Sequence, residues 1–387
     1  MKNQVKLAAA GVITALGQGK RKNVHGLSSG KGLFRTQNLD GFDEPMVVPY
    51  LPVEHDAACE ARHSGALGHL EWLLEKAIDE ALSEVALSDD IRKEIPLFIG
   101  SSSYGINIGE TRYETSLANG QEGVPVPLDG FTQIGNHLRR HYGFLGADYA
   151  YNTACTSGAN ALLGAAASIE QGRSEYALVV GIETFNKTTL AGFFGMQLLA
   201  SEAMRPFDKN RDGLVLGEGC GVLLLKKAES GEKGITFRGG ASCCDTHSIA
   251  ASNPDGSAIA QVIKDALEQS GVNADDIVAI KAHGTGSPLN DDGEAAGMKR
   301  VFAEVPPFFS LKSYVGHTLG GCGVIETALM VACLNERRLP ASAGFSCFDE
   351  KLGVSPVAQA QAAEPGNYML NFFGFGGNNC SLILHLE

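Results

Sequence analysis

Asn152-Thr153-Ala154-Cys155-Thr156-Ser157-Gly158 closes a strand-like run and opens a segment in which Ala159, Leu162, Leu163, Ala166 and Ile169 recur at helical spacing up to Gly172. A helix this apolar predicts burial, and the residues before it place a cysteine at its start. Downstream, Tyr176 to Ile182 and Gly221 to Leu225 are dense in Val and Leu. Parallel strands buried on both faces have that composition. Farther on, Ile259, Val262, Ile263, Ala266 and Leu267 mark a second helix, which Gly271 stops, and a strand follows at Ile277 to Ala282. Strands alternating with helices predict an α/β architecture.

With 387 residues the chain has room for two or three domains and can bury a large core without staples. The polar segment Lys226-Lys227-Ala228-Glu229-Ser230-Gly231-Glu232-Lys233-Gly234 lies between two apolar strands. It divides the chain into residues 1–229 and 230–387. Gly217-Glu218-Gly219-Cys220-Gly221 before Val-Leu-Leu-Leu echoes Gly374-Phe375-Gly376-Gly377 before Ser-Leu-Ile-Leu. Two similar halves are the expectation.

Composition removes several function classes. A formal charge of -13, with no basic run longer than Lys20-Arg21-Lys22, lacks the footprint of a nucleic-acid binder. No window approaches 18 consecutive apolar residues, so no membrane insertion is expected. Lys2 and Lys6 before Leu7 to Leu16 have the outline of a short signal peptide, but a first strand running into the Gly17-Gln18-Gly19 turn is favoured. Nine cysteines, an odd number without any C-x-x-C pair, suit a reducing compartment, and a cytoplasmic protein is expected.

Cys155 at a helix start sits among free backbone N–H groups at the positive end of the helix dipole, and both favour a thiolate. Two histidines also stand where strands end in Gly-rich turns, in His283-Gly284-Thr285-Gly286-Ser287-Pro288 and Gly316-His317-Thr318-Leu319-Gly320-Gly321. The carboxyl ends of strands are where open α/β sheets place chemistry. Together they suggest a Cys-His-His site. Cys243-Cys244-Asp245-Thr246-His247 lacks chelate spacing, and no metal is expected. Phosphate-loop, serine-hydrolase and zincin motifs are missing. Arg205 to Gly213 mixes both charge signs and, taken alone, is a solvated loop with an internal ion pair.

These motifs resemble the β-ketoacyl-acyl carrier protein synthases of fatty acid and polyketide assembly. The resemblance runs through Val12 to Gly17, Thr153 to Ser157, Arg205 to Gly219, His283 to Pro288, Lys312 before Gly316-His317, and Phe373 to Gly377. It implies the thiolase fold, two similar halves stacked as a five-layered α-β-α-β-α sandwich, and a dimer of identical or homologous subunits. It assigns Cys155 as nucleophile, His283 and His317 as the groups acting on malonyl carrier protein, and Lys312 and Glu326 as their support. The oxyanion hole would be the N–H groups of Cys155 and Phe375. Thr285 and Ser287 match pantetheine-binding positions, and Phe373 matches a gate of the acyl pocket. Acyl carrier protein is the implied partner, with Arg205 or the Arg139-Arg140 pair as landing cations, and no cofactor is implied.

The chain is short for that family before Arg205 and around Lys226 to Gly240, where loops shape the pocket. Two competitors remain: a chain-length factor supporting an active homologue, and a thiolase-like acyltransferase acting on coenzyme A esters. Chain-length factors usually lose the cysteine, and thiolases use a second cysteine with one nearby histidine. Cys155, His283, His317 and Lys312 together favour the synthase.

Overall fold

A computed structural model describes residues 3–39, 46–55, 64–121, 130–249 and 252–387. Ten strands position the site: β1 (Val5–Thr14), β2 (Leu97–Gly100), β3 (Asp148–Tyr151), β4 (Tyr176–Glu183), β5 (Gly219–Lys227), β6 (Ile235–Cys244), β7 (Ile277–Lys281), β8 (Phe308–Phe309), β9 (Gly366–Phe373) and β10 (Asn378–Leu386). Six helices flank them: α1 (Gly65–Leu82), α2 (Gln133–Tyr142), α3 (Ser157–Glu170), α4 (Ser257–Ser270), α5 (Pro288–Val301) and α6 (Cys322–Asn335).

The strands form one path, β8-β7-β9-β10-β6-β1-β5-β4-β2-β3. From its centre outward the order is β1-β5-β4-β2-β3 on one side and β6-β10-β9-β7-β8 on the other. Within each set of five that is first, fifth, fourth, second, third, so the chain lays down the same topology twice. Directions repeat too, since β5 is antiparallel to β1 and β4 while β10 is antiparallel to β6 and β9. The remaining neighbours in each half are parallel. Among the described residues the sets pair through Val5↔Phe237 and Lys6↔Thr236.

One expectation is corrected here. The Val/Leu-rich run of β5 belongs to a strand antiparallel to both neighbours, not to a parallel one. Its residues Gly219 to Leu225 are buried because helices cover both faces of the sheet, and two-sided burial gives the same composition in either direction. The residues from Val5 onward form a central strand, paired on both sides, which turns through Gly17.

Each helix sits where its apolar face meets a sheet. The central layer is α3 and α6, whose residues share one core with the inner faces of both sheets. α1 and α2 cover the outer face of the first sheet and α4 and α5 that of the second. The result is five layers, α-β-α-β-α. Local signals set the ends: Pro288 opens α5, and Gly271 closes α4 at φ 64° with the Val272 N–H donating to Leu267 O. Among the described residues no helix is long and apolar enough to cross a membrane.

Candidate active site

α3 begins two residues after Cys155, and Ala154, between them and β3, is held at φ 53°. A non-glycine residue in that region is strained, and surrounding bonds must hold it. Ser157 Oγ does so by donating to Ala154 O at 2.6 Å and accepting from Thr153 N at 2.9 Å, and Asn160 Nδ2 donates to Thr153 Oγ1 at 2.8 Å. The turn presents Cys155 to a cavity of about 60 Å3. His283, His317, Thr285, Ser287, Phe373 and Phe375 line the same cavity, so the residues singled out in separate motifs converge.

Both imidazoles stand at the ends of elements, but only His283 follows a strand, since the short helix Lys312–Val315 precedes His317 where a strand was expected. His283 follows β7, and its N–H and that of Gly284 donate to the two oxygens of buried Glu294, each at 2.8 Å. Asp291, one helical turn earlier on α5, accepts from Thr285 N at 3.0 Å and Phe207 N at 2.8 Å. His317 donates its backbone N–H to Val215 O at 2.7 Å. Glu183 at the end of β4 fixes the turn beyond it, accepting from Gly320 N, Ser102 N and Ser103 N at 2.9–3.0 Å. Burial raises the Glu183 carboxyl to about 7 against these donors.

The two rings meet edge to face with centroids 5.3 Å apart. Each Nδ1 is buried without a hydrogen-bond partner, so Nε2 is the nitrogen each ring offers to the cavity. Burial, with the Lys312 charge, holds both imidazoles well below their ordinary value, and they are neutral at pH 7. Burial also raises the Cys155 thiol to about 11, opposed by the Phe375 backbone N–H and the Lys312 charge. At Cys155 desolvation outweighs the local donors and the helix-start position, which favours the protonated thiol.

Lys312 Nζ lies 2.6 Å from Glu326 Oε1, and both side chains are fully buried. A residue not foreseen completes the cluster: Lys281 Nζ, at the end of β7, lies 2.7 Å from Glu326 Oε2 and donates to Asn371 O at 2.7 Å. It sits over the Phe372 ring at 3.6 Å. Two ammonium groups sharing one carboxylate leave a net positive charge behind the histidines. Burial lowers Lys281 to about 8, while Lys312, against its own burial, is held above its ordinary value by Glu326.

Other expected residues fall differently. Phe373 is buried, edge-on to His283 at 5.8 Å, and lines the cavity. Phe375 is half-buried, stacks on Phe193 at 5.5 Å, and is followed by Gly376 and Gly377 at φ 74° and 73°. Thr285 Oγ1 accepts from Ser287 N at 3.2 Å. The Arg205 backbone lies against Gly286 in that loop, and its guanidinium is 3.3 Å from Glu202. Arg139 and Arg140 are on α2, in the outer layer, and Arg139 is taken by Asp148 at 2.9 Å. They are not at the cavity.

The loop from Arg205 to Gly213 is not merely solvated. Arg211 is buried, paired outside the loop with Asp292 at 2.5 Å and Asp349 at 2.7 Å. Asp208 accepts from Ser346 N and Cys347 N, each at 2.7 Å. Cys322 is buried, and its Sγ lies 3.1 Å from the Cys155 carbonyl oxygen.

A duplicated α/β sandwich with a cysteine and two histidines in one cavity defines a condensing enzyme of the thiolase fold. Comparison with known proteins narrows the class. Residues 58–231 match the model "Beta-ketoacyl synthase, N-terminal domain" and residues 236–346 match "Beta-ketoacyl synthase, C-terminal domain". The chain is 31% identical to 3-oxoacyl-[acyl-carrier-protein] synthase 2 of Vibrio cholerae over 78% of each chain. It is 28% identical to the enzyme of that name from Synechocystis, over 98% of this chain and 97% of the relative. Among solved structures, the ketosynthase ApeO in complex with its chain length factor ApeC from Xenorhabdus doucetiae superposes at TM-score 0.84, with 25% identity over 100% of this chain and 98% of that one. The chain belongs to the β-ketoacyl synthase family, and it is an acyltransferase of the condensing type.

Proposed function

We propose that this chain catalyses decarboxylative Claisen condensation of a Cys155-bound acyl group with malonyl-acyl carrier protein, in fatty acid or polyketide assembly. The convergence of Cys155, His283, His317 and the Phe375 N–H on one cavity carries this reading. In the first half-reaction the Cys155 sulfur attacks the acyl thioester, its proton leaves with the departing pantetheine thiol, and the acyl group stays on sulfur. The N–H groups of Cys155 and Phe375 hold the oxyanion.

In the second, the malonyl carboxylate leaves as carbon dioxide and negative charge develops on the thioester oxygen. Neutral His283 and His317 each give that oxygen an N–H donor, strengthened by the low dielectric. The resulting carbanion attacks the Cys155 thioester, the 3-oxoacyl chain leaves on carrier protein, and the released thiolate takes a proton from solvent. Lys312 and Lys281, held by Glu326, stabilise the developing anion at longer range. Thr285 and Ser287 hold the pantetheine arm, and Phe373, with Phe375 beside it, gates the acyl pocket. The steps balance without a metal or redox cofactor.

The partners in this reading are acyl carrier protein, landing beside Arg205, and a second subunit, identical or homologous. Incubation with acyl carrier proteins of several chain lengths, followed by peptide mass spectrometry, tests it. The expected adduct is on Cys155, is missing in Cys155→Ala and is discharged by malonyl-carrier protein with release of carbon dioxide. His283→Ala and His317→Ala should keep the adduct and lose decarboxylation. An adduct that malonyl-carrier protein never discharges in the wild type refutes the condensing role.

A further inference from the structure

Far from the cavity, in the outer layer, two helices face each other with complementary donor sets. α1 carries Glu71 and Glu75, and α2 carries His137 and His141. Residues four apart lie on one helix face, so each helix turns two of these side chains toward the other. Glu75 Oε1 is 3.4 Å from His137 Nε2 and 3.5 Å from His141 Nδ1. Both distances exceed a normal N–H···O bond of about 2.7–3.2 Å. His137 is nine-tenths buried, and its Nε2 has no hydrogen-bond partner.

These spacings match another arrangement. Ligand bonds of about 2.0–2.1 Å in a tetrahedral zinc site put neighbouring ligand atoms about 3.3 Å apart. The one carboxylate oxygen and two ring nitrogens lie within 4.8 Å of one another, near those edges before any ion draws them in. Glu71 Oε1 stands 3.2 Å from the other nitrogen of His137, where a carboxylate fixes the tautomer and orientation of a metal-bound imidazole. Cysteine spacing, on which the expectation of no metal rested, is silent about a His-x3-His pair.

We propose that Glu75, His137 and His141 bind one divalent transition metal of the zinc class, with Glu71 as the positioning residue and water as fourth ligand. Water can reach the site past His141, which is half exposed. The ion would clamp α1 to α2 and has no part in the condensation.

The full-length protein, stripped with chelator, is titrated with Zn2+ by calorimetry and with Co2+ by visible absorption. One equivalent should bind, Co2+ should show the intense bands of four-coordinate geometry, and the unfolding temperature should rise. Glu71→Gln should weaken binding roughly 10- to 100-fold, as loss of such an orienting partner does. His141→Ala, on the exposed side, should weaken it at least as much, and neither should change acyl loading of Cys155. Absence of saturable binding in the micromolar range overturns the site. Equal affinity in wild type and His141→Ala does so too, since the ion then sits elsewhere.

Discussion

At the scale of single residues, the charge states around Cys155 make two sharp expectations. A thiol raised to about 11 has a thiolate fraction that grows with pH throughout the range below that value. Alkylation of Cys155 by iodoacetamide should therefore climb about tenfold per pH unit between about pH 7 and about pH 10. Lys312→Met removes a cation that opposes the rise, so its profile should move to higher pH. A rate already on a plateau near neutrality would show that the thiolate is present at rest. The second expectation concerns the buried cluster. Glu326→Gln strands two ammonium groups and should cost about 3–5 kcal/mol in denaturant unfolding, as broken buried pairs do. Lys281→Met leaves a matched Lys312–Glu326 pair and should cost less. The reverse order would show that Lys281 is held mainly by Asn371 O and the Phe372 ring.

At the scale of elements, catalysis depends on how closely two helices of the central layer cross. A Cβ added to Gly323 would lie 2.1 Å from Ala159 N, and one added to Gly158 would lie 2.8 Å from Val324 N. Overpacking of this kind costs about 1–3 kcal/mol or more. Gly323→Ala should lower the unfolding midpoint and, by pushing the start of α3, slow Cys155 acylation as well. Gly192→Ala, at an exposed position of the helix Lys187–Gly195 with nothing within 4 Å of the new atom, should instead stabilise by about 0.5–1 kcal/mol. The sequence made this layer legible because α3 carries its pattern in a continuous run with Cys155 at its start, and His283 and His317 each sit in a Gly-rich turn beside an element end. The carboxylates that hold those turns were not legible. Glu183, Asp291 and Glu294 are ordinary charges in the sequence, and only the fold carries them to the loops they fix. Lys281 is a single charge at the end of an apolar strand, with nothing local to mark it. Strand direction was also hidden, because β5 is buried on both faces whichever way it runs.

At the scale of the molecule, duplication makes β3 and β8 equivalent outer edges, yet the two halves finish them differently. Phe308 and Phe309 of β8 are buried, whereas Tyr149 of β3 is 49% exposed, with Leu145 and Phe131 exposed in the same half. Among the described residues β3 pairs on one side only, and an edge of that kind with apolar surroundings is a template for pairing with another chain. The backbone shows which groups are free. Ala147 O accepts from Leu97 N and Tyr151 O from Ser101 N, so strand alternation turns the N–H of Ala150 outward, away from β2. The second subunit in the proposed dimer would continue the sheet here. Ala150→Pro removes an outward donor and no inward one, and proline is tolerated at that place in an edge strand. Light scattering should show the purified assembly falling to the mass of one chain, with the circular dichroism of the fold kept. A variant that keeps the wild-type mass would move the subunit contact away from this edge, leaving the exposure of Tyr149 without a partner to account for it.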